Sequence, residues 1–288
     1  MSLREPSITV NVDITNPGQF FACCGLLELA DRMWPGAEGW FENGRFHITC
    51  DGTLRQMVDA LACSDITSSV GEEGLKRLGT LLSATKATLT ADDERDKERL
   101  RALWQGESLL LGNPFNLALN WWRNETNERT GLKTWAAKQL ILDIVRPLRS
   151  AVIANAPLAP TEDILQCAVA FDGSSLYFDS HAQSQSRAID TGFSAYDLRA
   201  VIKEGPSTRP GLEFFAFIGM QRFRIPPRHS DGTFVYCAWR TPLPALVAAL
   251  AATGFIRSPN DTCYQFRLLD RTKYMKAFLP ATTMENHR

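Results

Sequence analysis

Residues 8–14, ITVNVDI, alternate apolar and polar side chains with the period of two that a half-buried strand requires. Asn16-Pro17 follows, a capping side chain and then a proline suited to the first helical position, so the apolar run 17–34 predicts a helix. GWFENGRFHITC places Asn43-Gly44, a type I′ turn pair, between two short β-like runs and predicts a hairpin. Leu54, Met57, Val58 and Leu61 then recur at helical spacing over 53–63, with Thr53 as a cap. Residues 64–106 read as an insertion, with a weak helix around 75–85 and a solvated, mixed-charge helix in ADDERDKERLRALW. In FNLALNWW (115–122), Phe115, Leu117, Leu119 and Trp121 share one side of a predicted strand. Strand, helix, hairpin, helix, strand is the order of a ferredoxin-like unit.

LKTWAAKQLILDIVRPLRS (132–150) predicts a helix with Ala137, Ile141, Ile144 and Leu148 inward, ended or bent at Pro147. NAPLAPTED (155–163) is the best domain boundary. Beyond it CAVAFDG, LYFDS, TFVYCAW and CYQFRLL are strand-like, whereas PGLEFFAFIGMQRF and PLPALVAALAAT predict helices. The expected class is α+β, with mixed, largely antiparallel sheets and packed helices. It is divided into an N-terminal α+β domain over 1–154, ferredoxin-like in its order, and a second over 164–288. No internal repeat or low-complexity tract stands out.

Composition adds little until charge is divided along the chain. Of 288 residues, 44% are hydrophobic and 22% charged, and no apolar stretch approaches the roughly 20 residues of a membrane span. The N-terminus lacks a secretory pattern, so the expected location is the cytoplasm, with no membrane partner. The net charge is −1, yet residues from Arg187 onward hold fourteen Lys and Arg against eight Asp and Glu, which is +6 and leaves −7 for the rest. A basic face is therefore concealed in a weakly acidic whole.

Seven cysteines, at 23, 24, 50, 63, 167, 237 and 263, show neither disulfide-framework nor CxxC spacing, so reduced thiols are expected. Cys23 and Cys24 lie one turn inside a helix, where adjacent side chains diverge by about 100° and make a poor chelate, so packing is their expected role. The backbone N–H groups of the first helical turn, 17–20, where Pro17 itself has none, can either hold an anion or simply be capped. Four histidines, at 47, 181, 229 and 287, have no paired spacing, and His47 reads as structural. No phosphate-binding loop, nucleophile elbow or dinucleotide fingerprint is present, so no catalytic residue, metal or cofactor is expected. QRFRIPPRH sets Arg222, Arg224 and Arg228 beside Phe223, and Arg123, Arg129, Lys133 and Lys138 surround a Trp-rich stretch. Arginine beside an aromatic suits phosphates and bases, although both stretches also read as solvated surface.

NPGQFFACCGLLELAD, NWW (120–122), LKTWAAKQ (132–139), SRAIDTGFS (186–194) and AFIGMQRFR (216–224) resemble, in order, landmarks of CRISPR-associated type I large-subunit-like proteins. The form resembled is the shorter one of type I-U (also called I-G) operons, related to the type I-C large subunit. The resemblance implies a non-catalytic subunit of an RNA-guided Cascade surveillance complex. Its partners would be crRNA, target double-stranded DNA, other Cascade subunits and a recruited helicase-nuclease. Such a subunit lies near the crRNA 5′ handle, helps to recognise the protospacer-adjacent motif and stabilises the R-loop, while base pairing reads the sequence. At 288 residues the chain is short for a large subunit, so the resemblance implies that the C-terminal helical bundle of such subunits would be missing or supplied by another chain. The matched positions are Asn16, Gln19, Lys133, Trp135, Arg187, Asp190, Arg222 and Arg224. Lys133, Arg187, Arg222 and Arg224 are the expected phosphate contacts, with Arg222 or Arg224 as motif reader. Trp135 reads as core and Asp190 as a loop cap. Two rival functions are a metal-independent CRISPR RNA-processing endonuclease and a thiol enzyme using Cys23 or Cys24.

Overall fold

A computed structural model of the chain describes residues 5–106, 109–122, 131–135, 139–158, 160–181, 207–225, 232–272 and 275–284. The chain opens with β1 (Ile8–Asn11) and α1 (Pro17–Met33), whose N-cap Asn16 accepts from the Gly18 N–H at 3.1 Å. The strands β2 (Glu38–Glu42) and β3 (Arg45–Thr49) form the expected hairpin, with Asn43 and Gly44 at φ 50° and 73°, both positive as a type I′ turn demands. Thr53 and Gln56 close a capping box on α2 (Leu54–Cys63). Next come β4 (Ile66–Ser68), α3 (Gly71–Ser83) and α4 (Ala91–Gly106), where Arg77 bridges Asp93 and Asp96 at 2.5 and 3.1 Å on the solvated side. Leu78, Leu81, Leu100 and Leu140 form a small core of their own under this pair of helices.

The strands β5 (Leu109–Leu111) and β6 (Leu117–Leu119) lead towards α5 (Leu142–Asn155). Phe115, Leu117, Leu119 and Trp121 are all buried, as their alternation predicts. The helix expected over 132–150 is displaced. It begins ten residues later and runs on through Pro147 to Asn155, so Pro147 neither ends it nor defines its limit. Buried Ile144, Val145, Leu148 and Val152 hold it on the core, and that packing outweighs the missing proline donor.

The second half contains β7 (Val169–Ala170), β8 (Ser207–Thr208), α6 (Pro210–Gly219), β9 (Phe234–Ala238), β10 (Leu243–Pro244) and α7 (Ala245–Ala252). After these come β11 (Thr262–Phe266), β12 (Leu268–Thr272), β13 (Met275–Phe278) and β14 (Thr282–Thr283). LYFDS, expected as a strand, forms none: Tyr177 has a positive φ of 60°, and the backbone N–H groups of Leu176 and Phe178 go to a side chain described below. None of the described helices is long and apolar enough to cross a membrane.

All described strand pairings are antiparallel, and the class is α+β. β3 lies between β1 and β2, so β1-α1-β2 is the split unit of a ferredoxin-like order. The expected closing strand does not join it. Residues 117–119 pair instead with β5 in a separate β4-β5-β6 sheet, and the fourth place, beside β2, goes to β10 from the other half of the chain. β9, β11 and β14 form another sheet, in which Cys237 and Cys263 are directly opposed and disulfide-bonded. Two of the seven cysteines are thus not the reduced thiols expected; the pairing is set by strand register, which spacing along the chain does not reveal.

The two expected domains also share one continuous core that runs from Ile8 to Ala281, across the boundary placed at 155–163. Its centre is the pair α1 and α6. Each begins with Pro-Gly and carries Phe-Phe-Ala-x-x-Gly, as Phe20-Phe21-Ala22…Gly25 and Phe214-Phe215-Ala216…Gly219. A Cβ on Gly25 would overlap the Phe215 carbonyl oxygen, and one on Gly219 would overlap that of Phe21. Gly18 meets Leu212, and seven residues later Gly25 meets Gly219, so the helices run in the same direction with backbones in contact. Even the Pro-Gly starts correspond, because Gly18 lies against the Phe178 carbonyl and Gly211 against that of Ile164. This is a short internal repeat that the sequence reading missed.

Candidate nucleic-acid interface

At the C-terminal end of α6 the turn 220–225 carries Gln221, Arg222, Phe223 and Arg224. Phe223 is fully buried and stacks on Trp239 at 6.1 Å, which leaves its neighbours to turn outward. The Gln221 side chain accepts from the backbone N–H of Asn120 and of Trp121 (2.8 and 3.1 Å) and donates to Asn120 Oδ1 (3.1 Å). Arg224 is exposed; its Nε donates to the Gln221 carbonyl and its Nη2 to Asn120 Oδ1, at 3.1 and 3.0 Å. Two bonds fix the guanidinium plane while its outer edge meets solvent. That arrangement suits a phosphate oxygen.

Below this edge Trp121 donates its indole N–H to the Phe217 carbonyl at 3.0 Å, and Trp122 stacks on the Phe217 ring at 5.5 Å. Trp135 packs edge-on to Trp121 at 5.7 Å and is buried, as expected. Lys133 lies over Trp135, its ammonium 5.1 Å from the ring centroid, a cation–π geometry. Four of the five landmark stretches, those containing 16–31, 120–122, 132–135 and 216–224, are therefore adjacent layers around the α1–α6 pair. The fifth, with Arg187 and Asp190, lies outside the described residues. So do Arg123, Arg129, Lys138 and Arg228.

Three residues expected to bind nucleic acid, Asn16, Gln19 and Arg222, have partners within the chain. Asn16 is fully buried, capping α1 and donating to Asp179 Oδ1 at 2.7 Å. Gln19, 1% exposed, accepts from the Asp13 N–H at 2.7 Å and exchanges bonds with Gln166. Arg222 forms an ion pair with Glu28, itself 1% exposed, and lies 3.7 Å from Asp31. The guanidinium thus neutralises a buried acid that Arg32 also contacts at 2.8 Å. A charge inside an apolar helix, as at Glu28 in LLELAD, is the signal that identifies such a site in sequence.

The shared N-terminal end of the two helices is polar and closed. Asp179 joins both starts, accepting from Asn16 and, at 2.8 Å, from Arg209, the residue before Pro210. Its neighbour Glu213 is completely buried and gathers the Ser175 hydroxyl and the Leu176, Phe178 and Asp179 N–H groups at 2.9–3.3 Å. Burial and the nearby Asp179 carboxylate push its pKa up to about 7, against the pull of those donors. The helix start is capped rather than open to an anion.

Cys23 and Cys24 are fully buried, and burial drives both thiols well above their ordinary pKa. A nucleophilic thiolate is disfavoured at either position. His47 donates to or accepts from Thr9 at 3.0 Å and stacks on Trp40 at 5.2 Å, a structural setting. No group of three or more metal-ligating side chains occurs among the described residues. Compared with known proteins, the chain matches no family model, no curated protein and no solved structure.

Proposed function

We propose that this chain is a non-catalytic subunit of a CRISPR RNA-guided Cascade complex of type I-U, contributing to target DNA recognition in the cytoplasm. The observation that carries the proposal is the convergence of four landmark stretches on one helix pair. In that setting Arg224 and Lys133 are held by landmark residues, Asn120 and Gln221 for the first and Trp135 for the second. Landmarks scattered over more than 200 residues thus belong to one spatial unit with cations at its edge. Such an edge would hold backbone phosphate while guide pairing reads sequence.

The test is co-expression of the tagged chain with the products of its neighbouring genes and a crRNA. The expected result is a complex that contains crRNA and binds target duplex according to the flanking motif. A chain that purifies without RNA or partner proteins in that experiment overturns the proposal.

A further inference from the structure

A surface helix ordinarily turns its large apolar side chains inward and its polar ones to water. α7 does the reverse. Its buried side chains are all alanine, Ala245, Ala248, Ala251 and Ala252, whereas Leu246 and Leu250, one turn apart on the same face, are exposed. Phe255 and Ile256 follow. Seven large apolar side chains are exposed among the described residues, and these four of them fall within eleven positions, with Phe255 82% and Leu246 68% open. The backbone fixes their place. The Gly254 N–H donates to the Ala251 carbonyl at 2.9 Å and the Phe255 N–H to the Leu250 carbonyl at 3.1 Å, a Schellman closure with Gly254 at φ 75°. A Cβ at Gly254 would lie 3.1 Å from Cys237 Sγ, so the turn rests on the Cys237–Cys263 disulfide, which also ties the ends of the segment together. An open phenyl ring is thus presented on a braced turn.

Residues 241–256 contain no Asp, Glu, Lys or Arg. Contacts between copies of one chain are more apolar than contacts between unlike proteins that also exist apart, and an uncharged face meets its own copy without repulsion. The area agrees. At roughly 200 Å² for a fully open side chain, the four expose on the order of 400 Å², and a symmetric pair would bury about 800 Å² from them alone. Half-buried Pro242, Val247 and Ala249 at the rim bring this near the ~1,000 Å² of the smallest specific interfaces. Pairing by strand addition is disfavoured at the same place, because Pro242 and Pro244 give the outer strand β10 no N–H on either side of Leu243. We propose that α7 and the Phe255 turn form the two-fold interface of a weak homodimer, with the helices antiparallel and Phe255 of each copy over Leu246 of the other. The dimer stands apart from the Cascade proposal, and its test does not need the assembled complex.

Sedimentation of the full chain from about 1 to about 200 μM spans the range in which so small an interface dissociates. The mass should rise from 32.1 kDa and level at twice that value. Phe255→Asp and Leu246→Asp, both on open surface, should each raise the dissociation constant about tenfold or more, with unfolding curves unchanged. Leu158→Asp is the matched control, since Leu158 is 81% exposed and lies outside α7; it should dimerise like the parent. A parent that is monomeric throughout, or whose mass climbs past the dimer without levelling, overturns the proposal. So do Phe255→Asp and Leu246→Asp proteins that associate like the parent, or a Leu158→Asp protein that loses the dimer as they do. A monomeric parent whose Phe255→Asp variant drops out of the co-expressed complex would give the face to another subunit, overturning the homodimer and leaving the subunit role standing.

Discussion

Arg222, just beyond α6, forms an ion pair with Glu28, which lies buried on α1. Glu28 Oε1 also receives Arg32 Nε and Arg222 Nη2, at 2.8 and 3.2 Å, so two guanidiniums share a carboxylate that water barely reaches. Removing one partner of a buried pair leaves charge uncompensated, at a cost of about 3 kcal/mol or more, and Arg32 retains part of the compensation here. Arg222→Ala should therefore lower the free energy of unfolding in urea by about 2–3 kcal/mol. Adding Glu28→Gln should recover part of that loss, since the stranded charge is then gone. An Arg222→Ala protein as stable as the parent would refute the structural role.

The glycine contacts between α1 and α6 give a second expectation. At Gly25 and at Gly219 a methyl group would strike a carbonyl oxygen of the facing backbone, which has no rotamer by which to yield. Gly25→Ala or Gly219→Ala should cost about 3 kcal/mol or more, the upper part of the range for overpacking. Gly79→Ala in α3 is the matched control, because the nearest atom to its Cβ would be 3.6 Å away. There the better helix former should leave stability unchanged or raise it by up to about 1 kcal/mol. Equal effects at the three sites, read from urea midpoints, would mean that the helices are not in backbone contact.

Local structure was legible in sequence wherever one short segment contained its own cause. The Asn43-Gly44 turn, the Thr53 cap and the alternation around Leu117 each express a local preference, and each element formed. Partnership was not legible. Nothing in FNLALNWW says which sheet it joins, and the Cys237–Cys263 pair exists only once β9 and β11 are in register. The same limit governed the site. Asn16, Gln19 and Arg222 carry polar groups that suit either a ligand or the protein's own interior, and only packing decides between them. Two signals were present and overlooked: the repeated Phe-Phe-Ala-x-x-Gly, and acids inside apolar helices at Glu28 and Glu213.

Glu213 predicts how stability depends on pH. Its ordinary value of 4.5 rises to about 7 in the folded protein, so between these values the folded state holds a proton that the unfolded state releases. The contribution is complete below about pH 4.5 and is lost as pH rises through about 7, a change on the order of 3 kcal/mol. Asp179 adds to the rise and is itself paired with Arg209 at 2.8 Å. Glu213→Gln carries no titrating proton, so its stability should change less between about pH 5 and 8 than that of the parent. Urea unfolding of both proteins across that range reads the difference directly. Parallel profiles would show that the carboxylate stays ionised on its four donors throughout.

Arg224 and Arg222, two residues apart, should behave oppositely. Arg224 is exposed, and its bonds go to a backbone carbonyl and to an amide side chain, so no buried charge is stranded when it is removed. Arg224→Ala should change the free energy of unfolding by no more than about 0.5 kcal/mol, as surface substitutions usually do. If its guanidinium holds a phosphate in the assembled complex, the variant should bind target DNA less tightly, with a salt slope shallower by about 0.9 for duplex or 0.7 for a single strand. A backbone contact predicts the same loss on correct and altered flanking motifs, whereas a base-reading arginine would lose about 1–3 kcal/mol mainly on the correct one. The orientation favours the first outcome, because Asn120 and the Gln221 carbonyl hold the guanidinium at the rim of α6. Binding measured at several salt concentrations with both motifs separates the cases. Unchanged affinity and slope in a normally assembled complex would remove Arg224 from the interface.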